Sequence, residues 1–188
     1  MKLQKSSLPY SYLVVKEQPL SFVTEAYQKL LSNLEFSNVD GNHRIIQITS
    51  ALPGEGKSTS IGNLAWLLSE KKKKVLVVDL DLRRPKIHRI FKISNQKGIV
   101  NLLSGEVSLH DVLVPIQPNL HIIPAGPIPS AFIHILTSQK LKQFLQDCLQ
   151  DYDYILVDSP PVIAVADALY IGQYCQGTIL VIHQQTTP

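Results

Sequence analysis

Long apolar runs are scarce in this chain of 188 residues, although hydrophobic residues make up 45% of it. No run approaches the roughly 18 apolar residues that a membrane-spanning helix needs. Residues 1–5 read M-K-L-Q-K and lack the apolar core of a secretory signal. We therefore expect a cytosolic protein, or one that is attached to a membrane only through a partner.

Cysteine and net charge are also low. Cys148 and Cys175 fall in segments of helical pattern and lack the spacing of metal ligands, so we expect reduced, structural cysteines. The formal net charge is only +3, and the largest basic run, residues 71–74, lies between a predicted helix and a predicted strand. We interpret this run as a solvated connection, with contact to anionic lipid or an acidic partner as the alternative, and we expect no nucleic-acid partner.

The length of the chain favours one domain, because it allows one substantial core and is short for two. We place this domain at residues 20–188 and an N-terminal arm at residues 1–19. The arm has no clear hydrophobic period, which predicts an extended conformation with Tyr10 and Tyr12 exposed or packed over the surface.

Segments of helical period alternate with short apolar runs through the rest of the chain. Residues 21–36 predict a first helix with Ser21 as its N-cap. Strands are predicted at residues 44–50, 74–79, 120–124, 154–158 and 178–182, and later helices at residues 57–69, 99–103, 109–112, 139–149 and 165–173. Apolar strands without alternation are typical of parallel sheets that are covered on both faces. The pattern predicts an α/β fold with three layers, in which helices flank a mainly parallel sheet.

A phosphate-binding loop follows the first predicted strand. Residues 51–58 read A-x-x-x-x-G-K-S, with Ala51 where the first glycine of the motif usually stands. Gly54 and Gly56 permit backbone angles that turn consecutive N–H groups toward a phosphate chain. Lys57 supplies charge for the β and γ phosphates, and the Ser58 hydroxyl is placed to bind Mg²⁺. We therefore predict a domain of the P-loop NTPase type that binds ATP and Mg²⁺ through Pro53, Gly54, Glu55, Gly56, Lys57, Ser58 and Thr59.

Three carboxylates end or follow apolar strands, where a metal ion bound to phosphate would lie. Asp158 matches the usual second nucleotide-binding motif. Asp79 and Asp81 lie on the same side of an extended backbone, so one can hold the metal while the other accepts a proton from a hydroxyl. Arg83 is predicted to contact the nucleotide, although an ordinary ion pair fits nearly as well. The predicted catalytic residues are Lys57, Asp79 and Asp81, and the predicted metal ligands are Ser58, Asp79 and Asp158.

Three motifs together carry a resemblance to a known family. They read P-G-E-G-K-S-T at residues 53–59, V-D-L-D-L-R-R-P at 78–85 and Y-I-L-V-D-S-P-P-V at 154–162. In this order and spacing they resemble the catalytic domain of the bacterial protein-tyrosine kinases of capsular and exopolysaccharide systems. The resemblance implies phosphorylation of tyrosine, on the enzyme itself and on protein substrates, with ATP and Mg²⁺. It also implies a separate membrane-embedded adaptor that activates the kinase and holds it at the inner face of the cell membrane.

The sequence departs from the family pattern at three places, one of which is residues 129–136, where His134 stands in place of an expected acid. The family's first helix reads E-x-x-R-x-x-R, a pattern associated with ring assembly, whereas this chain keeps Glu25 and has Gln28 and Leu31 in place of the arginines. Self-association through this helix therefore rests on Glu25. The family also continues past the last predicted strand to a cluster of acceptor tyrosines, so we expect a domain that is truncated at its C-terminus, where this sequence ends at Pro188.

Two further functions stay open. A partner-controlled ATPase switch of the partition and division-site type shares the predicted fold. Such proteins usually have an extra lysine near the start of the phosphate loop, where this chain has Ala51, Leu52 and Pro53. The other alternative is an inactive, truncated regulatory subunit, which Gln28, Leu31 and the early C-terminus favour.

Overall fold

A computed structural model describes residues 12–38, 41–184 and 187 of the chain. The strands are β1 (Ile45–Ser50), β2 (Val75–Asp79), β3 (Val114–Gln117), β4 (Leu120–Ile123), β5 (Tyr154–Asp158) and β6 (Gly177–Val181). The helices are α1 (Val14–Glu17), α2 (Phe22–Ser37), α3 (Lys57–Glu70), α4 (Ile87–Ile90), α5 (Ile99–Ser104), α6 (Leu109–Val112), α7 (Ile133–Leu136), α8 (Gln139–Cys148) and α9 (Asp167–Gly172).

The strands form a single sheet in the order β3-β4-β2-β5-β1-β6. The five strands from β4 to β6 in this order are parallel, and only β3 runs antiparallel, against β4. Because β1, β2 and β5 are adjacent and parallel, their carboxyl ends lie side by side. Ligands of open α/β sheets bind at this edge, and the register brings Asp79 opposite Asp158 there.

The sheet is covered on both faces, which explains the continuous apolar character of its strands. In β2, Val75 and Val77 pack into the core cluster that includes α2 and α3, whereas Leu76 and Val78 pack into the cluster on the other face. All five residues of β2 are buried. The prediction of a three-layer α/β domain with a mainly parallel sheet is thereby confirmed.

Local sequence signals set the boundaries of the longer helices. Ser21 caps α2, because its Oγ accepts a hydrogen bond from the N–H of Thr24 at 3.1 Å, and such a cap stabilises a helix by about 1 kcal/mol. Helix α3 begins at Lys57, directly after Gly56 in the left-handed conformation (φ 94°). Both helices lie within one residue of their predicted ends.

The extended conformation predicted for the N-terminal arm is wrong at α1. The side chain of Val15 is buried in the core, and its N–H donates to Oδ1 of the buried Asn63 at 3.0 Å. Asn63 in turn donates to the carbonyl of Tyr12 at 2.7 Å, so α3 holds this segment by side-chain hydrogen bonds. Tyr12 is 45% exposed, whereas Tyr10 lies outside the described residues. The division at residues 19 and 20 stays a prediction.

Besides α1, three short elements were not predicted, namely α4, α7 and the antiparallel strand β3. Each contains only four residues, which leaves a weak periodic signal, although α6, of the same length, was predicted. In the part of the chain that the structure describes, no helix has both the length and the apolar character to cross a membrane. Cys148 and Cys175 are free thiols, the first buried and the second partly buried.

Candidate active site

The phosphate loop connects the carboxyl end of β1 to the first turn of α3. Gly54 and Gly56 have φ angles of 91° and 94°, a region that other residues rarely adopt. A side chain at either position would therefore strain the backbone of the loop, although a Cβ atom there would meet no neighbouring atom within 4 Å. The two glycines give the loop the backbone freedom that the sequence predicted for it.

Lys57 lies between two carboxylates. Its Nζ is 2.6 Å from Oδ2 of Asp81 and 3.3 Å from Oδ1 of Asp158, and it also donates to Ser58 Oγ at 3.2 Å. Burial acts to lower the pKa of Lys57, but the charges of Asp158 and Asp81 outweigh it and raise the pKa. Lys57 is therefore a permanent cation at physiological pH.

Ser58 and Asp158 form the second contact of the cluster. The Ser58 hydroxyl donates to Oδ2 of Asp158 at 2.7 Å, and Asp158 is completely buried at the end of β5. Burial raises the pKa of Asp158, while Lys57 and the hydrogen bond from Ser58 act in the opposite direction. The structure thus brings together two of the three predicted metal ligands.

Asp79 and Asp81 have different surroundings although they are two residues apart. Asp79 is completely buried, and its two oxygens accept hydrogen bonds from the N–H groups of Asp81 at 3.2 Å and Ile87 at 3.1 Å. Burial and the nearby charge of Asp158 raise its pKa well above the ordinary value. Asp81 instead pairs with Lys57 and accepts a hydrogen bond from the N–H of Arg84 at 3.1 Å. Asp79 therefore holds the turn at residues 80–87, whereas Asp81 faces the phosphate loop.

Arg83 has a buried partner that the sequence reading did not assign. Its guanidinium makes two hydrogen bonds to Asp167, at 2.7 and 3.1 Å, and lies 5.2 Å from the ring centroid of Phe132. The hydrogen bond to Asp167 raises the pKa of Arg83. Of the two possibilities for Arg83, the structure therefore contains the ion pair, and its contact with nucleotide stays a prediction.

Glu55 belongs to the phosphate loop but its side chain turns to other groups. Its Oε2 accepts from the N–H of Leu52 at 2.8 Å, and its Oε1 accepts from the hydroxyl of Thr187. The N–H of His183 is 3.3 Å from Oε1. These hydrogen bonds, led by that from Leu52, lower the pKa of Glu55. The carboxylate thus ties the loop to the segment after β6.

Among the cavities that adjoin the phosphate loop, two are lined by Lys57. The larger has a volume of about 370 Å³ and is lined by Pro53, Gly54, Lys57, Asp81, Arg83, Arg84, Lys86, Pro160, Pro161, Ala164 and Val165. The second, of about 260 Å³, is lined by Tyr12, Gly54, Gly56, Lys57, Ser58, Thr59, Lys86, Arg89 and Ile90. Every residue predicted from the phosphate loop, except Glu55, lines one of the two. Asp79 and Asp158 lie behind them.

The donor set fits a Mg²⁺ ion that phosphate oxygens help to bind. Mg²⁺ prefers carboxylate and hydroxyl oxygens and usually takes only one or two carboxylates together with substrate phosphates and water. Ser58 supplies a hydroxyl and Asp158 a carboxylate, which are hydrogen-bonded to each other. Asp81 contacts the same Lys57 ammonium as Asp158. Among the described residues, no group of three or more His, Cys, Asp or Glu side chains could hold a metal ion unaided.

Sequence reasoning missed Asp167 and the exposed cation Lys86 as parts of the site. Asp167 lies at the start of α9, five residues after the motif at residues 154–162, and no periodic pattern marks its pairing with Arg83. Lys86 follows the motif at residues 78–85 by one position. Lys86 lines both cavities because of the turn into α4. No periodic pattern in the sequence predicts this turn.

The phosphate loop, the acids at the strand ends and the parallel sheet define a nucleotide-binding domain of the P-loop class. A family model described as an AAA domain matches residues 43–185. Tyrosine-protein kinase YwqD of Bacillus subtilis (strain 168) is 36% identical over 93% of this chain and 74% of that protein. The putative tyrosine-protein kinase CapB of Staphylococcus aureus is 31% identical over 97% of this chain and 79% of that protein. The chain therefore belongs to the bacterial tyrosine-protein kinases.

Solved structures agree with this assignment. The chimerical protein CapA2B2 superposes with a TM-score of 0.89 at 32% identity, over 94% of this chain and 78% of that chain. The septum site-determining protein MinD of Pyrococcus horikoshii OT3, complexed with Mg-ADP, superposes with a TM-score of 0.62 at 30% identity, over 73% of this chain and 57% of that chain. The superposition with MinD has the lower TM-score and covers less of this chain, so it supports a division-site ATPase less than a kinase.

Proposed function

We propose that this chain transfers the γ-phosphoryl group of ATP to tyrosine hydroxyls of proteins, in the control of capsular or exopolysaccharide synthesis. The observation that carries the proposal is the pair of Lys57 and Asp81, 2.6 Å apart, which both line the larger cavity beside the phosphate loop. A cation for the phosphate and a carboxylate for the acceptor proton are thereby available at one place. The names of the relatives support tyrosine as the acceptor.

In the proposed reaction the tyrosine oxygen attacks the γ-phosphorus of ATP. The bond between that phosphorus and the oxygen bridging to the β-phosphorus breaks, and its electron pair leaves with ADP. The phenolic proton passes to Asp81, which we assign as the base because Asp81 lines the larger cavity, whereas Asp79 lines neither cavity. Asp79 orients the loop, and its role as a metal ligand remains a prediction.

The phosphate chain is held by N–H groups of the phosphate loop and by Lys57, whose ammonium moves from carboxylates to phosphate oxygens. Preorganised donors of this kind stabilise the charge that develops on the transferred group. Ser58 and Asp158 would hold Mg²⁺, which neutralises charge on the β and γ phosphates when bound. The remaining predicted contacts, Pro53, Gly54, Glu55, Gly56, Thr59 and Arg83, surround the same nucleotide.

A membrane-embedded adaptor is the proposed activating partner, and its binding would place the chain at the inner face of the cell membrane. Self-association through α2, with Glu25 as a contact, belongs to the same proposal. Glu25 is exposed on α2. Three apolar side chains near the start of α2 are also exposed, namely Leu20, Phe22 and Val23.

The experiment uses purified chain, its adaptor, Mg²⁺ and ATP labelled in the γ position, with a Lys57→Met chain as the control. The proposal expects label on tyrosine in the wild type and its loss in the control. Label released as inorganic phosphate without phosphotyrosine would contradict the kinase and support the ATPase switch. A chain that binds no nucleotide would support the regulatory subunit instead.

A further inference from the structure

Two cations at the larger cavity have no acidic partner among the described residues. Arg84 and Lys86, which we call the basic lining, both line the cavity and are both exposed. Across the described ranges 12–38, 41–184 and 187, neither side chain belongs to an ion pair. Their positive charge is therefore available to a molecule that enters the cavity.

The other cations at this cavity are already compensated. Lys57 is held by Asp81 and Asp158, and Arg83 is held by Asp167 through two hydrogen bonds. Nucleotide phosphate has its own donors in Lys57 and the loop N–H groups. The basic lining thus provides charge beyond what the phosphate loop offers to the nucleotide.

A second segment gives the same cavity an apolar surface. Pro160, Pro161, Ala164 and Val165, which we call the apolar lining, follow β5 and contribute no charged group. Ile163 in the same segment is 60% exposed. Such a surface can pack against an aromatic ring, which buries apolar area that would otherwise face water.

We propose that this cavity binds the acceptor segment and selects tyrosines that have acidic neighbours. The tyrosine ring packs on the apolar lining with its hydroxyl toward Asp81, and carboxylates beside the tyrosine contact Arg84 and Lys86. This inference rests on the proposed kinase function and adds the class of acceptor. Asp81 is the one acid among the described residues that line this cavity, and Arg84 and Lys86 outnumber it.

The backbone fixes the basic lining relative to the acids of the site. The N–H of Arg84 donates to Oδ1 of Asp81 at 3.1 Å, and the N–H of Ile87, next to Lys86, donates to Asp79 at 3.1 Å. Alanine at residues 84 and 86 keeps both hydrogen bonds, because only side chains are removed. The substitutions therefore test charge without dismantling the loop.

The test compares the binding of two labelled peptides to the full chain with Mg²⁺ and a non-hydrolysable ATP analogue, measured by fluorescence anisotropy. One peptide has a phenylalanine flanked by glutamates, and the other has the same phenylalanine flanked by glutamines. We expect the acidic peptide to bind about five- to tenfold more tightly at low salt, as two partly exposed charge contacts allow. The preference should disappear in the Arg84→Ala/Lys86→Ala chain.

Two further variants make the test specific. Arg89→Ala removes a cation that lines only the second cavity, so the acidic preference should persist there. Val165→Ser removes apolar surface and should weaken both peptides by a similar factor of about three. A preference that survives in Arg84→Ala/Lys86→Ala, or is lost equally in Arg89→Ala, overturns the inference. So does a loss of nucleotide affinity in Arg84→Ala/Lys86→Ala as large as the loss of peptide affinity.

The inference and the proposed function fail in different ways. Equal affinity for the two peptides, in a chain that forms phosphotyrosine, overturns the acidic preference alone. A clear acidic preference in a chain that forms no phosphotyrosine overturns the kinase function and leaves a binding site for acidic segments.

Discussion

The two ends of the parallel strands differ in how they balance buried charge. At the carboxyl ends of β1, β2 and β5, the buried acids are Asp79, Asp81 and Asp158, and the buried ammonium of Lys57 pairs with Asp81 and Asp158. If all four groups are ionised, the cluster carries an excess of two negative charges. Buried charge of this kind is costly unless it is paired, or neutralised by a proton or a metal.

At the amino ends of the same strands the polar groups satisfy one another. The guanidinium of Arg44 donates to the carbonyls of Leu149, Tyr152 and Asp153. Asp153 Oδ2 accepts from the N–H of Lys74 at 2.8 Å, and His121 Nδ1 forms a 2.7 Å hydrogen bond with Tyr152 Oη. These contacts close the ends of the strands without an excess of charge.

The comparison separates the groups that maintain the fold from those that are available for chemistry. At the amino ends these polar groups have partners within the chain, so their loss lowers stability. At the carboxyl ends the acids outnumber their cationic partners, so a cation from outside the chain can bind there. The following predictions test that separation.

Among the predictions for binding and stability, the largest effect is expected for Asp158→Asn at the carboxyl ends. The substitution keeps the shape but removes the charge that faces Ser58 and Lys57. We expect the affinity for nucleotide in the presence of Mg²⁺ to fall about 10- to 100-fold, with little change when Mg²⁺ is absent. Calorimetric titration with and without the metal measures both. Equal losses in the two titrations would contradict a metal site at Asp158.

Arg44→Ala at the amino ends should act on stability alone. It removes hydrogen bonds from a charged donor to three carbonyls, which together stabilise the fold by about 2 kcal/mol. Urea denaturation measures the loss. The nucleotide affinity of the folded chain should equal that of the wild type, and a weaker affinity would break the separation between the two ends.

The pair of Arg83 and Asp167 tests whether a charged group at the carboxyl ends can stabilise the folded state. The Arg83 side chain is 45% exposed, whereas that of Asp167 is almost fully buried. An ion pair between such groups should stabilise the fold by about 1 kcal/mol, between the values for exposed and buried pairs. A double-mutant cycle of Arg83→Ala and Asp167→Ala, followed by urea denaturation, gives the coupling energy. Additive effects would show that the pair contributes nothing.

The smallest effects concern pH and have opposite signs at the two ends. Burial and Asp158 raise the pKa of Asp79, so its contribution to stability is present below about pH 4, the ordinary range of Asp, and is lost as pH rises through the raised pKa. Burial lowers the pKa of His121. Its contribution is present above about pH 6.5 and is lost as pH falls through the lowered pKa.

Two substitutions isolate these contributions, with the free energy of unfolding measured between pH 4 and 8 without Mg²⁺. Relative to the wild type, Asp79→Asn should gain stability as pH rises, and His121→Gln should gain stability as pH falls. Profiles that run parallel to that of the wild type would contradict the assigned shifts.

Much of this organisation could be predicted from local signals. Ser21, Gly56 and the apolar run of β2 specify a cap, a loop and a buried strand through their immediate neighbours. The predicted site residues Lys57, Asp81 and Asp158 meet because parallel strands bring their carboxyl ends to one edge. That rule needs only the order of strands and helices.

The rest depended on contacts between distant segments. The helix α1 is held by Asn63, 48 residues away from Val15, and the Arg83 partner lies 84 residues along the chain. Contacts between residues so far apart along the chain produce no periodic pattern in the sequence. The different roles of Asp79 and Asp81 depend on the turn at residues 80–87, whose backbone N–H groups engage Asp79.

We propose that Asp81, at the carboxyl ends, takes part in phosphoryl transfer, whereas Asp153, at the amino ends, does not. The most direct measurement is the rate of phosphotyrosine formation from labelled ATP by the wild type, by Asp81→Asn and by Asp153→Asn. We predict a fall of at least about 100-fold for Asp81→Asn, because the acceptor proton loses its base, and a wild-type rate for Asp153→Asn. Equal rates in Asp81→Asn and the wild type, or an equal fall in both variants, would contradict the account.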